Sequence, residues 1–123
     1  MIEGPDGLLL VRRPDDDEDL PGAWGLPAAS LAEGESEEDA VRRAAREKLG
    51  VDVRPLRPVG REGAMTDWEA EIVSGEPTVP QDGPNTQYAE LRRGEPRDLV
   101  PAARRGSLCC RVLLRARGVD FEA

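Results

Sequence analysis

An uninterrupted apolar run near the start of the chain, Leu8-Leu9-Leu10-Val11, is the feature that most constrains the fold. The Gly-Pro-Asp-Gly sequence at residues 4–7 is a strong turn signal, so the run that follows it predicts a buried strand. Only residues 1–3 precede this turn. We therefore expect these three residues either to pair with another part of the sheet or to mark a domain that lacks its first strand.

The clearest helix is predicted between Ser36 and Gly50. Ser36 is a favourable N-cap, three acidic residues follow it at the positive end of the helix dipole, and Gly50 provides a C-terminal stop. Apolar residues recur every four positions and predict a buried stripe, with two further alanines on the adjoining side: Val41, Ala45 and Leu49, then Ala40 and Ala44. These small side chains predict close packing against a sheet.

Later segments predict further strands and one more helix. Short strands are expected at residues 51–53 and 59–61 and around residues 87–92. A half-buried strand is expected where Trp68, Ala70 and Ile72 alternate with Asp67, Glu69 and Glu71. A helix is expected from Leu108 to Arg117, with Ser107 as its cap, Gly118 as its end and Leu108, Cys109, Val112, Leu113 and Ala116 on one face. This order predicts the α/β fold class, with helices covering a sheet.

Composition and charge exclude several functions. The chain has 123 residues and a formal net charge of −8, which disfavours non-specific binding to nucleic acid or to an anionic membrane. Apolar runs are too short to span a bilayer, and the first residues lack a basic segment followed by an apolar one, so we expect a cytoplasmic protein. The chain has no histidine, and its two cysteines, Cys109 and Cys110, are adjacent. A disulfide framework, a structural zinc site and histidine-activated nucleophiles are therefore not expected.

Residues 24–51, WGLPAASLAEGESEEDAVRRAAREKLGV, carry the functional signal. They resemble, without gaps, the signature of the Nudix hydrolases, a MutT-like superfamily with the pattern G-x5-E-x7-R-E-U-x-E-E-x-G-U, where U is aliphatic. Ala29 falls on the first glycine, Glu35 on the first glutamate and Arg43 on the arginine. Glu47 and Lys48 fall on the paired glutamates. The resemblance implies one Nudix-like domain over residues 1–123, an α/β/α sandwich with a central mixed sheet.

The resemblance also implies roles for these residues. Nudix enzymes hold Mg²⁺ or Mn²⁺ against a diphosphate with helix carboxylates, and the metal neutralises phosphate charge and activates water. Glu47 is then the expected metal ligand, and the backbone carbonyl of Ala29 is a second. Arg43 and Glu35 are expected to form a supporting ion pair. For Glu47, a simple ion pair with Arg43 one turn earlier is the alternative.

Two of the three helix positions that carry carboxylates in the family differ here. Residue 44 is Ala44 and residue 48 is Lys48, so only Glu47 remains of the three. Repulsion from Lys48 opposes metal binding, unless its side chain extends into solvent or contacts substrate phosphate directly. The general base is unassigned. A missing ligand or base is sought among Glu69, Glu71, Asp82 and Glu90, and Trp68 and Tyr88 are either core residues or base-stacking residues.

Three functions follow from this pattern. The first is metal-dependent hydrolysis of a phosphoanhydride bond in a nucleoside diphosphate linked to another group. The second is a Nudix-fold domain that has lost hydrolysis and binds a nucleotide or a protein partner. The third is a structural subunit that uses its sheet edge as an interface, as in a homodimer.

Overall fold

The computed structural model describes residues 1–28, 30–81 and 88–122. Within them, six strands and three α-helices are arranged around one buried strand, β2. The strands are β1 (Glu3–Gly4), β2 (Gly7–Arg12), β3 (Trp24–Gly25), β4 (Asp52–Glu62), β5 (Met65–Ser74) and β6 (Glu90–Gly94). The helices are α1 (Glu37–Leu49), α2 (Val100–Arg104) and α3 (Leu108–Ala116), and a short 3₁₀ helix (Pro96–Leu99) precedes α2.

Strand β2 is buried on both faces. Successive side chains of a strand point to opposite sides, so its four apolar residues divide between two cores. Leu8 and Leu10 pack in one core with Leu113 of α3. Leu9 and Val11 pack in the second core, to which α1 contributes. The helices α1 and α3 therefore cover opposite faces of β2, and the predicted α/β sandwich is confirmed.

The strands form two antiparallel sheets joined by a parallel bridge. Strand β2 pairs with β1, β3 and β6, whereas β4 and β5 pair with each other. Ile2 bridges to Ala70 of β5 in parallel, and Glu3 lies opposite Leu8. The residues before the first turn thus pair with other parts of the sheet, as the first of the two alternatives predicted.

Local sequence accounts for both ends of α1, as predicted. The Ser36 hydroxyl accepts a hydrogen bond from the Asp39 amide at 3.1 Å. Gly50 adopts a left-handed conformation with φ of 68°, which suits a residue without a Cβ. The buried residues of α1 are Ala40, Ala44, Ala45 and Leu49.

The hairpin of β4 and β5 differs from its prediction in two respects. The two short strands expected at 51–53 and 59–61 are one strand, because register shifts beside Pro55 and Pro58 absorb the prolines without ending the pairing. Asp67, expected to face solvent, is only 6% exposed. The alternation assumed one solvent face, but α1 and α3 both contact β5.

The C-terminal helix α3 has nearly the predicted bounds, but its buried face differs from the prediction, because Ala116, expected on that face, is exposed. It ends before Gly118, whose φ is 69°. Leu108, expected in the core, is 40% exposed, whereas Cys110 and Leu114 are fully buried. The Ser107 side chain makes no capping hydrogen bond and lies 3.5 Å from Cys109 Sγ. In the three described ranges, no helix has both the length and the apolar character needed to cross a membrane.

The Ser36 cap provides a test of α1. Replacing Ser36 with alanine removes the acceptor for the Asp39 amide, so we expect the free energy of unfolding to fall by about 1 kcal/mol. Ser36→Asn keeps a good capping side chain and is expected to stay within a few tenths of a kcal/mol of wild type. Urea denaturation measures both values. Equal losses in the two variants would contradict a capping role.

Candidate functional site

An arginine on α1 fixes the loop that precedes the helix. Arg43 Nε and Nη2 donate to the two carboxylate oxygens of Glu35 at 2.9 and 3.0 Å, and Nη2 also donates to the carbonyl of Ser30 at 2.7 Å. Glu35 accepts a further hydrogen bond from the Ala32 amide at 3.0 Å. The predicted ion pair is therefore present, in the two-pronged geometry that only arginine provides.

The charges of this pair are mutually stabilised. Hydrogen bonding to Arg43 lowers the pKa of Glu35 below its ordinary value of 4.5, and the same contact raises the pKa of Arg43. Arg43 Nη1 also lies 3.5 Å from Glu47 Oε2, one helical turn away. The ion pair proposed as the alternative for Glu47 is thus formed.

Lys48 does not extend into solvent. Its Nζ donates to the carbonyl of Ala28 at 2.6 Å and lies 5.4 Å from the centre of the Tyr88 ring. The Tyr88 hydroxyl accepts a hydrogen bond from the Ala28 amide at 3.1 Å. Both polar groups of Ala28 are therefore held by side chains from distant parts of the sequence, and the ammonium is fixed between α1 and the loop.

The surroundings of Lys48 are rich in positive charge. Burial, followed by the charges of Arg13 and Arg43, lowers the pKa of Lys48 below its ordinary value, and Glu47 acts in the opposite direction. Arg13 and Arg43 each pair with carboxylates, Arg13 with Asp17 at 3.1 Å. Lys48 itself donates to the neutral carbonyl of Ala28. A half-buried ammonium hydrogen-bonded to a neutral carbonyl favours an anionic ligand.

A cleft of about 430 Å³ lies beside α1. This volume falls within the roughly 300–1,000 Å³ typical of small-molecule sites. The small side chains of Ala40 and Ala44 leave the space on the helix side, and the loop residues Ala28 and Ser30 form part of the wall. Ala44, where the family carries a carboxylate, therefore presents a methyl group to the cleft.

The residues that line the cleft also include a buried carboxylate, Asp67, and the indole ring of Trp68. Asp67 Oδ1 lies 3.7 Å from the Met1 amino group, and Oδ2 is buried without a hydrogen-bond partner. Burial raises the pKa of Asp67 above its ordinary value of 3.8. The neighbouring Trp68 donates from Nε1 to Glu37 Oε1 at 2.9 Å. No sequence pattern indicates a site at Asp67, because its burial follows from long-range packing around β5, which both α1 and α3 contact.

The described side chains do not fit a divalent metal of the family type. Within residues 1–28, 30–81 and 88–122, no group of three histidine, cysteine, aspartate or glutamate residues is placed to hold a metal ion. An ion about 4 Å from Lys48 Nζ would be repelled by roughly 8 kcal/mol at an effective dielectric constant near 20. Millimolar binding is worth only about 4 kcal/mol, so Lys48 in its observed position opposes the metal.

The remaining predicted site residues are distributed as follows. Glu69, Glu71 and Glu90 form ion pairs with Arg57, Arg54 and Arg12, respectively. Tyr88 is 6% exposed and contacts Ala28 through its hydroxyl, which fits a core residue, whereas Trp68 lines the cleft. Ala29 and Asp82 lie outside the described residues. Sequence patterns do not predict the contact between Lys48 and Ala28, because it joins a helix to a loop residue 20 positions earlier in the chain.

Comparison with known proteins identifies the family. The NUDIX domain model matches residues 1–92, which is most of the chain. The chain belongs to the Nudix family, whose hydrolases generally use divalent metals.

Curated relatives include the NAD-capped RNA hydrolases NudC of Stutzerimonas stutzeri, 37% identical over 87 residues, and of Pseudomonas aeruginosa, 37% identical over 88 residues. These alignments cover 66% and 67% of this chain but only 30% of each relative. The chain therefore spans less than a third of the length of these relatives.

Solved structures show the same fold. An ADP-ribose pyrophosphatase from Streptococcus suis matches with a TM-score of 0.66 and 22% identity, covering 99% of this chain and 89% of that one. A Nudix hydrolase from Nitrosomonas europaea matches with a TM-score of 0.67 and 21% identity, covering 95% and 84% of the two chains. At this level of identity the similarity establishes the fold.

The lowered pKa of Glu35 gives a test of the ion pair between Arg43 and Glu35. Because the folded pKa is lowered, the pairing stabilises the fold above the ordinary carboxyl pKa, and this contribution is lost as the pH falls through the lower folded value. We expect Glu35→Gln to be less stable than wild type near neutral pH and to lose less further stability in acid.

Urea midpoints measured from about pH 6 to about pH 3 check this expectation. Glu33→Gln removes an exposed carboxylate from the same loop and is the matched control. A Glu35→Gln profile parallel to wild type throughout the acid range would contradict the assignment.

Proposed function

We propose that this chain binds a nucleoside diphosphate derivative in the cleft beside α1 without metal-dependent hydrolysis, and that Lys48 supplies the positive charge for the phosphates. The observation that carries the proposal is the 2.6 Å hydrogen bond from Lys48 Nζ to the Ala28 carbonyl. It holds an ammonium between the signature helix and its loop.

A fixed ammonium suits a diphosphate. Lysine provides a compact charge with three donors, and the Ala28 carbonyl uses one of them, leaving donors for phosphate oxygens. Contact with the Tyr88 ring restricts the side chain further. Pre-positioning of the charge reduces the entropy lost on binding, so affinity does not require a metal ion to organise the phosphates.

Hydrolysis is the less favoured alternative for the same site. It requires an activated water and neutralisation of charge as the phosphoanhydride bond breaks, which the family's metal provides. Ala44 and Lys48 remove two of the family's three helix carboxylates, and Glu47 Oε2 lies 3.5 Å from Arg43 Nη1. The proposed occupant follows the relatives, which are described as acting on NAD-capped RNA and ADP-ribose. NAD and ADP-ribose are accordingly the first ligands to test.

Restoring the carboxylates tests the loss of hydrolysis. We expect wild type to bind ADP-ribose in EDTA and to release no product with Mg²⁺ or Mn²⁺. Lys48→Glu removes the repulsive charge and places a second carboxylate beside Glu47, and Ala44→Glu adds a third. The double variant is expected to gain Mg²⁺ affinity and metal-dependent turnover.

Calorimetry with Mg²⁺ alone and product analysis after incubation with ADP-ribose, NAD, nucleotide sugars and nucleoside triphosphates measure these outcomes. The single variant Lys48→Glu keeps the assay informative if the longer side chain at position 44 disturbs packing. Metal-dependent turnover by wild type that is lost in Glu47→Gln would overturn the proposal in favour of hydrolysis. Absence of binding by every compound would overturn nucleotide recognition itself.

Lys48 itself is tested by removing its charge. We expect Lys48→Met to weaken binding of ADP-ribose in EDTA by about one to two orders of magnitude, since hydrogen bonds to charged groups contribute about 1.5–3 kcal/mol. Arg46→Met is the matched control, because it also removes one positive charge from the last turn of α1, but Arg46 is exposed and lies near Asp52. Equal weakening in both variants would indicate a general charge effect.

A further inference from the structure

We propose that Asp67 selects the base of the bound nucleotide by accepting a hydrogen bond from an exocyclic amino group, as carried by adenine, cytosine and guanine. This inference rests on the proposed function, because it assigns the cleft of about 430 Å³ to the nucleoside. It goes beyond that function by assigning recognition of the exocyclic amino group of the base to Asp67.

The first observation is an unsatisfied buried acceptor in the wall of the cleft. The Asp67 side chain is 7% exposed, its Oδ1 lies 3.7 Å from the Met1 amino group, and its Oδ2 has no hydrogen-bond partner. A buried carboxylate oxygen without a donor is unfavourable, so a ligand that brings a donor gains the interaction. Asp67 is one of the residues that line the cleft, so a ligand bound there lies next to this carboxylate.

The second observation is the apolar and aromatic surface beside this acceptor. Trp68, Met65 and Leu108 line the same cleft, together with the alanines of α1. The indole nitrogen of Trp68 is already bonded to Glu37, which fixes the ring and leaves its surface for a planar group. Apolar walls with one polar acceptor match a nucleobase, which has flat faces and a polar edge.

The chemistry of the bases then predicts the preference. Adenine and cytosine each present an amino group, and guanine presents an amino group next to a ring N–H. Uracil has no amino group and presents one ring N–H between two carbonyl oxygens. These oxygens are acceptors, so their approach to the carboxylate of Asp67 is unfavourable. Asp67 therefore favours the three amino-bearing bases over uracil, while the phosphates are assigned to Lys48, which is bonded to Ala28 in the cleft lining.

Binding of ADP, CDP, GDP and UDP in EDTA, measured by calorimetry, tests this inference. Wild type is expected to bind the amino-bearing nucleotides at least about tenfold more tightly than UDP. Asp67→Ala is expected to bind all four with similar affinity, and Asp67→Asn, which adds an amide donor, to shift its preference toward UDP. Glu69→Gln alters a carboxylate two residues along β5 that pairs with Arg57, and it is expected to keep the wild-type preference.

The outcomes separate this inference from the proposed function. Equal affinity of wild type for all four nucleotides would overturn the role of Asp67 and leave nucleotide binding intact. If no diphosphate binds, the proposed function fails, and adenosine and uridine then decide the base site. If wild type binds adenosine more tightly than uridine and Asp67→Ala does not, the role of Asp67 is supported. If wild type binds both nucleosides equally, the role of Asp67 is overturned. Circular dichroism and thermal melting of each variant establish that folding is retained.

Discussion

Burial of β2 on both faces is the constraint on which the rest of the structure depends. Four adjacent apolar residues cannot be covered by one helix, because their side chains alternate between two sides of the sheet. The chain therefore needs α1 against Leu9 and Val11 and α3 against Leu8 and Leu10. This arrangement holds the signature helix at a fixed distance from the strands, and the cleft forms where the small residues of α1 leave the gap incompletely filled.

The same arrangement explains why some features were predictable from the sequence and others were not. The cap at Ser36, the end at Gly50 and the ion pair of Arg43 with Glu35 depend on residues that are close in the chain, and a local pattern describes them. The alternation of polar and apolar residues along β5 predicts that Asp67 is exposed. Such a local pattern contains no information about helices elsewhere in the sequence that pack on the strand. Both α1 and α3 pack on β5, and a local pattern describes neither of these contacts between distant segments, so it misses the burial of this residue.

Lys48 illustrates a second limit of sequence patterns. The alignment with the family locates the departure but leaves two outcomes open, a solvated side chain or a contact with phosphate. The structure shows a third arrangement, in which the ammonium is bonded to the Ala28 carbonyl and Tyr88 bonds to the amide of the same residue. Tyr88 comes from a segment far from Lys48 in the sequence, so only the folded chain brings the three groups together.

The departures at residues 44 and 48 have linked physical consequences. A carboxylate at position 44 would project into the cleft and require a cation nearby, and Lys48 fixed at Ala28 opposes a divalent ion there. Because residue 44 is alanine, no carboxylate at that position competes for the Lys48 ammonium. The cleft lining instead carries the methyl group of Ala44. Lys48 is bonded to Ala28, which lines the cleft, and the lining also contains apolar side chains and Asp67, whose Oδ2 has no hydrogen-bond partner. A ligand with a negative end, a flat centre and a donor edge satisfies all three, because each part then meets the group that complements it.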